Sequence, residues 1–221
     1  GHSLIVVVLL ALVWLYRGDP FTLNILAYTF LFASLASAWN IIGGFGGQFS
    51  LGHGVFFAIG AYVTANLYIH FGLSPWISLI PAAGLAAGAA VLVSWPTFRL
   101  KGPFFDIATM ADDQVAFVLA NYSDTLTGGP RGLFQPFKAG RANMIFANRL
   151  SYALLMLAFL AACLLVCAHV YRSRLGYYLQ AVQIDEDAAR AAGIRVLRVK
   201  LTGMAISAAL TGIGGAVFAM Y

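Results

Sequence analysis

Two aspartates, Asp112 and Asp113, stand side by side in an apolar run, Pro103–Tyr122, that also holds Asp106. A carboxylate at the middle of a membrane span costs about 2.5–3.5 kcal/mol on insertion scales. Neighbours on a helix point about 100° apart, so the pair cannot share one face. At least one of them then meets a polar cavity, a basic partner or a subunit contact, unless the run is offset so that this part lies near an interface. The expectation is that Asp112 or Asp113 faces an internal cavity.

A second polar concentration is the stretch GGFGGQFSLGHG, Gly43–Gly54, where Gln48, Ser50 and His53 lie among six glycines. Glycine at this density between two apolar runs predicts unwound backbone. In lipid, such backbone is tolerated only when buried in protein or lining a wet cavity, and broken helices of this kind form solute sites because their free N–H and C=O groups face the solute. The alternative is a tight helix–helix turn whose glycines serve packing. With Asn40, a polar insertion in the run before the glycines, the candidate solute-path residues are Asn40, Gln48, Ser50, His53, Asp112 and Asp113. A lone histidine such as His53 is more often a satisfied structural group than a proton carrier.

The chemistry these residues exclude is as informative. No GxxxxGK[ST] phosphate loop occurs anywhere in the chain. No nucleophilic triad, zinc-type cluster or paired-carboxylate hydrolase spacing is present. Two non-enzymic classes therefore lead: a transport subunit without catalysis of its own, or an ion-coupled carrier using Asp112, Asp113 and His53. A membrane-embedded enzyme would need those side chains within hydrogen-bond reach of one another, which their spacing does not ensure.

The elements that must position these groups follow from composition. Of 221 residues, 61% are hydrophobic and 10% charged, and the mean hydropathy is +0.85. A soluble domain carries about 25% charged residues, so lipid must be this chain's solvent. At roughly 20 apolar residues per span, the length accommodates about six or seven spans. Leu4–Tyr16 is a marginal span, Phe21–Ile42 a good one, and Val55–Phe71 follows the glycines. Trp76–Phe98 is expected to be broken by Pro81 and Pro96. Pro103–Tyr122, Leu150–Val170 and Leu201–Tyr221 complete the set. Gly203, Ser207, Thr211 and Gly215 recur every four residues in the last run, a face of small residues suited to close helix approach either within the bundle or between subunits. Gly84 and Gly88 repeat that pattern earlier. Cys163 and Cys167 read as packing residues. The net charge of +5 is explained by topology and anionic headgroups, without nucleic acid.

The hydrophilic interruption Tyr171–Lys200 carries Arg172, Arg174, Arg190, Arg195, Arg198 and Lys200, six of the thirteen basic residues. The positive-inside rule puts it in the cytoplasm. Leu179, Val182, Ile184, Ala188, Ala189, Ala192 and Ile194 alternate with polar groups, as one or two short amphipathic helices ending at Gly193 would require. Such a loop either shows itself to a partner or lies against headgroups.

Four segments in order carry a resemblance: NIIGGFGGQFSLGHGVFFAIGAY (Asn40–Tyr62), RLKGPFFDIATMA (Arg99–Ala111), TGGPRGL (Thr127–Leu133) and LGYYLQAVQIDEDAARAAGI (Leu175–Ile194). Together they resemble the permease subunits of branched-chain amino acid ABC importers. DAARAAG, Asp187–Gly193, is similar to the EAAxxxG loop of ABC permeases, with Asp in place of Glu. The resemblance implies an all-α polytopic transmembrane bundle with Gly-broken helices, one permease domain over residues 1–221, and a cytoplasmic coupling segment at residues 172–200. It implies that Glu186, Asp187, Ala188, Ala189 and Gly193 dock on ATPase subunits, which would hold the ATP and magnesium; this chain would hold no cofactor. A second homologous permease, an extracytoplasmic solute-binding protein and the lipid of the bacterial inner membrane complete the implied partners. The implied cargo is a branched-chain amino acid, with urea or short amides carried by related members on the same scaffold. Members continue past the equivalent of Tyr221, so the resemblance also implies further spans beyond it. Asp112-Asp113 falls where the family has apolar or small residues.

Overall fold

A computed structural model describes residues 2–98, 100, 103–123, 127–133 and 149–221. Among the described residues it contains helices and no strand. In chain order these are α1 (His2–Leu15), α2 (Pro20–Ile42), α3 (His53–Phe71), α4 (Pro75–Thr97), α5 (Pro103–Tyr122), a 3-10 turn at Gly129–Arg131, α6 (Arg149–Arg172), α7 (Arg174–Ile184), α8 (Glu186–Ala191) and α9 (Val196–Ala219). The starts obey local chemistry. Asp19 caps α2 by accepting from the Phe21 N–H at 3.1 Å and from the Thr22 hydroxyl, with Pro20 in the first turn. Ser173 caps α7, and Asp185 ends α7 and caps α8.

Helix α9 is the axis of the bundle. It packs on α2, α3 and α4. Against α2 it runs antiparallel: Gly203 lies by Ile42, Ser207 by Ala38 and Gly214 by Leu35, and the Tyr221 hydroxyl meets Asn24. Against α4 it is antiparallel too, with Lys200 beside Phe98 and Gly212 against Ala86. In lipid there is no hydrophobic drive to press helices together, so close backbone approach supplies the packing. The tightest point is α3 on α9, where a Cβ on Gly60 would sit 1.9 Å from the Gly212 carbonyl oxygen. Gly203, Ser207, Thr211 and Gly215 are all buried, so this face packs within the bundle.

Two expectations are corrected. Pro81 and Pro96 do not break α4, which is continuous from Pro75 to Thr97. Each proline frees the carbonyl four residues before it, that of Ile77 and that of Leu92, a loss that membrane helices tolerate through local adjustment of the turn. Gly84 and Gly88 repeat the spacing of a packing face but a Cβ at either would meet nothing within 4 Å. The packing stripe of α4 is instead Ser78, Ala82, Ala86, Ala90 and Ser94, buried at four-residue intervals. Five described helices, α2, α3, α4, α6 and α9, are long and apolar enough to cross a membrane. The described part of α1 is 14 residues long. The 20 residues of α5 are diluted by three aspartates, although the helix runs alongside α3 and α4. Outward-facing Ile77, Ile80, Leu92 and Phe117 are exposed, as side chains solvated by lipid would be.

Candidate functional site

The glycine stretch is where α2 stops and α3 has yet to begin. Gly43–Gly46 form a turn, with Gly43 N–H on Trp39 O at 2.9 Å and Phe45 N–H on Asn40 O at 3.0 Å. Gly47 has φ +63°, a conformation costly for any residue with a Cβ. The chain then runs without regular structure to Leu51. Two foreign groups replace the backbone bonds it lacks. Trp39 Nε1–H donates to Ser50 O at 2.8 Å, and Leu51 N–H donates to Thr109 Oγ1 at 3.1 Å. Within the segment Ser50 is buried while Gly47, Phe49 and Leu51 are exposed, and the bonds to Trp39 and Thr109 satisfy the backbone where it meets the bundle.

His53 opens α3 and braces three elements. Its Nε2 lies 2.8 Å from Ser207 Oγ and its Nδ1 lies 3.2 Å from Ser50 Oγ. Ser207 spends its one hydroxyl proton on Ala38 O at 2.7 Å. Its oxygen must therefore accept, which makes Nε2 the protonated nitrogen and Nδ1 the acceptor of the Ser50 hydroxyl. Both ring nitrogens are engaged, and His53 ties α2, α3 and α9 together.

Ser50 and Asp112 line one cavity of about 230 Å³ between α3, α4, α5 and α9. Apolar walls come from Val55, Phe56, Ile59, Val93 and Met204, and hydroxyls from Ser50, Ser94 and Thr109. Asp112 Oδ2 is buried there with no hydrogen-bond partner among the described residues. The other candidates lie elsewhere. Asp113 turns to α3, where a Cβ on Gly54 would sit 2.6 Å from its Oδ1. Asn40 belongs to a separate hollow with Ser37, Cys167, Tyr171 and Arg172. The Gln48 amide reaches back to Gly46 O at 3.5 Å and is not in the cavity wall. The structure therefore joins Ser50 with Asp112, places His53 next to them as a brace, and leaves Asn40, Gln48 and Asp113 apart.

At the end of the bundle where α2 and α6 finish, α7 and α8 fold back across it. Leu179 is fully buried, with its methyls near Gly46 and Gly203. Gln183 lies on Gly47. Val182 and Ala189 form a small cluster with Val196. Asp185 Oδ1 accepts from Asp187 N–H at 2.9 Å and Ala188 N–H at 3.0 Å. Gly193, at φ +86°, lets the chain turn into α9. Asp187, Ala188, Arg190, Ala191 and Gly193 are exposed, and Ile184 is 87% exposed.

Glu186 does not share that outward face. Its carboxylate takes Lys200 Nζ at 2.7 Å and Arg190 at 3.0 Å. Lys200 is only 3% exposed and lies 5.9 Å from the centre of the Phe98 ring. Glu186 and Ala189, both read as docking residues, point into the protein and hold α8 against α9.

Residues 21–221 match the model of the family described as branched-chain amino acid transport system / permease component. The chain belongs to that family. It is 32% identical to the high-affinity branched-chain amino acid transport system permease protein LivM of Escherichia coli strain K12, over 98% of this chain and 56% of that protein. Its identity to the protein of the same name in Salmonella typhimurium strain LT2 is 30%, with the same coverage. A probable branched-chain amino acid transport permease protein LivM of Methanocaldococcus jannaschii is 25% identical over 74% of this chain and 47% of that protein. The chain spans about half the length of the curated relatives it matches. No solved structure matches it.

Membership of this permease family accounts for the long apolar helices. The bracing residues Trp39, Thr109, Lys200 and Ser207 were not singled out by sequence as partners. The one available signal was Ser207 in its small-residue face; nothing in spacing links Trp39 to Ser50 or Glu186 to Lys200.

Proposed function

We propose that this chain is a membrane-spanning permease subunit of an ATP-binding-cassette importer and lines the path of a small solute, a branched-chain amino acid. The supporting observation is the arrangement at the α7–α8 end. An exposed face of Ile184, Asp187, Ala188 and Ala191 is backed by side chains that reach the unwound segment. A partner seated on that face moves α7, whose Leu179 and Gln183 touch Gly46 and Gly47, four and three residues from Ser50 in the cavity wall. The chain supplies path and lever. Separate ATPase subunits hold ATP and magnesium and supply the energy, a second homologous permease completes the path, and a binding protein outside the bacterial inner membrane delivers solute. Coupling requires that the outward and inward states differ in affinity for the nucleotide-bound ATPase.

The test is leucine uptake by proteoliposomes containing the chain with its ATPase and second permease. Asp187→Lys and Ala188→Trp alter the exposed face without touching the Glu186–Lys200 pair. Uptake should be lost in both while ATP hydrolysis persists. Leucine movement by the chain alone, without nucleotide or partner, would overturn the proposal.

A further inference from the structure

The hollow beside Asn40 lies between the last turns of α2 and α6 and encloses about 350 Å³. Its rim is polar and its floor apolar. Arg172, Asn40 and Tyr171 stand at the rim, while Ala168 and Leu164 lie about one and two turns deeper on α6. Neither the Arg172 guanidinium nor the Asn40 amide makes an ion pair or hydrogen bond among the described residues, and no carboxylate lines the hollow. Ser37 is already engaged: its hydroxyl donates to Ala33 O at 2.8 Å, and its carbonyl takes the Cys167 thiol at 3.0 Å. Phe45 packs on Tyr171 with ring centroids 5.3 Å apart, which holds the phenol at the rim. A helix C-terminus carries partial negative charge, but here it is muted. Asn40 O is taken by the N–H groups of Gly44 and Phe45, and Val170 O by the N–H and hydroxyl of Ser173. Both helices bring an outward stripe to this point. Phe32 and Ala36 lead to Asn40 on α2, and Leu165 and His169 lead to Arg172 on α6, all of them exposed.

We propose that this hollow binds one anionic phospholipid, its phosphate diester on Arg172 and the Asn40 amide and an acyl chain on Ala168 and Leu164. The guanidinium offers paired N–H donors that match phosphate oxygens, and such charge-assisted hydrogen bonds are about twice as strong as neutral ones. A soluble phosphate would use the rim and leave the apolar floor bare. A zwitterionic headgroup would bring an ammonium that finds no carboxylate in the hollow and meets the Arg172 charge beside the phenol. A lipid seated here spans the end of α2 and the turn from α6 into α7, and so steadies both. The inference needs the chain to sit in a bilayer and needs nothing of its cargo or its ATPase.

The experiment is native mass spectrometry and thermal unfolding of the full chain in detergent micelles. The probes are dioleoylphosphatidylglycerol, dioleoylphosphatidylcholine, dioleoylglycerol and glycerol 3-phosphate. The parent should retain a single phosphatidylglycerol, about tenfold tighter than phosphatidylcholine, and its melting temperature should rise with occupancy. Dioleoylglycerol, which lacks the phosphate, and glycerol 3-phosphate, which lacks the chains, should not displace it. Arg172→Gln should weaken retention about tenfold. Arg198→Gln, at an exposed arginine outside the hollow, should leave retention unchanged. Ala168→Phe, which fills the floor at constant charge, should weaken both phospholipids. Equal losses in Arg172→Gln and Arg198→Gln would reveal diffuse attraction alone and overturn the site. Displacement by glycerol 3-phosphate would reveal a free-phosphate site, and equal affinity for the two phospholipids would remove the anionic headgroup; either result overturns the inference. So would a transporter purified with its partner subunits in which this lipid is absent and Arg172 is covered by protein.

Discussion

Replacing Glu186 by Gln should damage the protein far more than replacing its partner Lys200 by Met, although both remove the same ion pair. The pair is close, 2.7 Å, but unequally buried: the Lys200 side chain is 4% exposed and that of Glu186 25%. Removing one partner of a buried pair costs about 3–5 kcal/mol, because the other charge is left uncompensated. In Glu186→Gln the stranded charge is the deeply buried ammonium, which keeps an amide oxygen and the Phe98 ring among the described residues, so the loss falls at the lower end, about 3 kcal/mol. In Lys200→Met the survivor is a partly solvated carboxylate that retains Arg190 at 3.0 Å, and the loss is about 1 kcal/mol. The double variant should recover about 2 kcal/mol of the sum, since the buried charge is then gone. For a chain of this size each kcal/mol moves the melting temperature by about 2–4 °C. Thermal unfolding of the detergent-purified chain should therefore fall by about 6–12 °C in Glu186→Gln and by about 2–4 °C in Lys200→Met. Equal shifts in the two single variants, or additivity within about 0.5 kcal/mol in the double, would refute the reasoning. The result also separates clamp from contact. Glu186→Gln should lose uptake together with stability, whereas Asp187→Lys, whose carboxylate is 75% exposed, should lose uptake at an unchanged melting temperature.

Gly47→Ala should lower the melting temperature by a backbone cost of about 1–2 kcal/mol at φ +63°, plus a contact with Gln183 Cγ, which lies 2.7 Å from where the new Cβ would stand. Gln183→Ala should relieve the contact and not the backbone cost, so a double variant no better than Gly47→Ala would remove Gln183 from the argument. Asp19 predicts a pH dependence at the other end of α2. The Thr22 hydroxyl foremost, and the backbone N–H groups of Phe21 and Thr22, hold its carboxyl below the ordinary value of 3.8. A depressed folded-state pKa means that the stabilisation is present above the unfolded value and is lost as pH falls through the folded one. The melting temperature of Asp19→Ala should thus lie below that of the parent at neutral pH and converge on it below pH 3.8. A gap that widens on acidification would count against the cap.

Much of the fold was open to a reading of hydropathy. Runs of about 20 apolar residues with Asp, Pro or Gly at their ends became α2, α3, α4 and α6 within a residue or two of their expected bounds, while α9 begins at Val196, five residues before the expected Leu201. The unwound segment was legible because only glycine tolerates such close turns. Faces were not. Asn40 and Trp39 are adjacent in sequence, yet the 100° step between them sends Asn40 to the α6 side and Trp39 to Ser50. On α4 the conspicuous glycines drew attention, while Ala82, Ala86 and Ala90, no different in hydropathy from a lipid-facing stripe, do the packing. Lys200 counted as one more basic residue of a loop, because charge in one dimension carries no depth. Its partner stands fourteen positions away, in a helix of six residues.

These placements explain why a push on the α7–α8 face would not be dissipated before it reaches the cavity. Leu179 touches both Gly46 and Gly203, so α7 cannot shift without meeting the unwound segment and the axis helix together. The unwound segment has few soft points between Gly47 and the cavity: Ser50 O is held by Trp39, Leu51 N–H by Thr109, and the Ser50 hydroxyl by His53. Thr109 is one helical turn from Asp112 on α5, and His53 is anchored to Ser207 on α9. Close-packed elements tied in this way move between discrete arrangements and do not deform continuously. On the proposed coupling, a displacement at Gln183 would therefore reach Ser50 and Thr109, on two sides of Asp112's cavity, as a change in its shape. Glycine is what makes the transmission compatible with folding, since the same close approaches that carry the movement would be clashes with any larger residue.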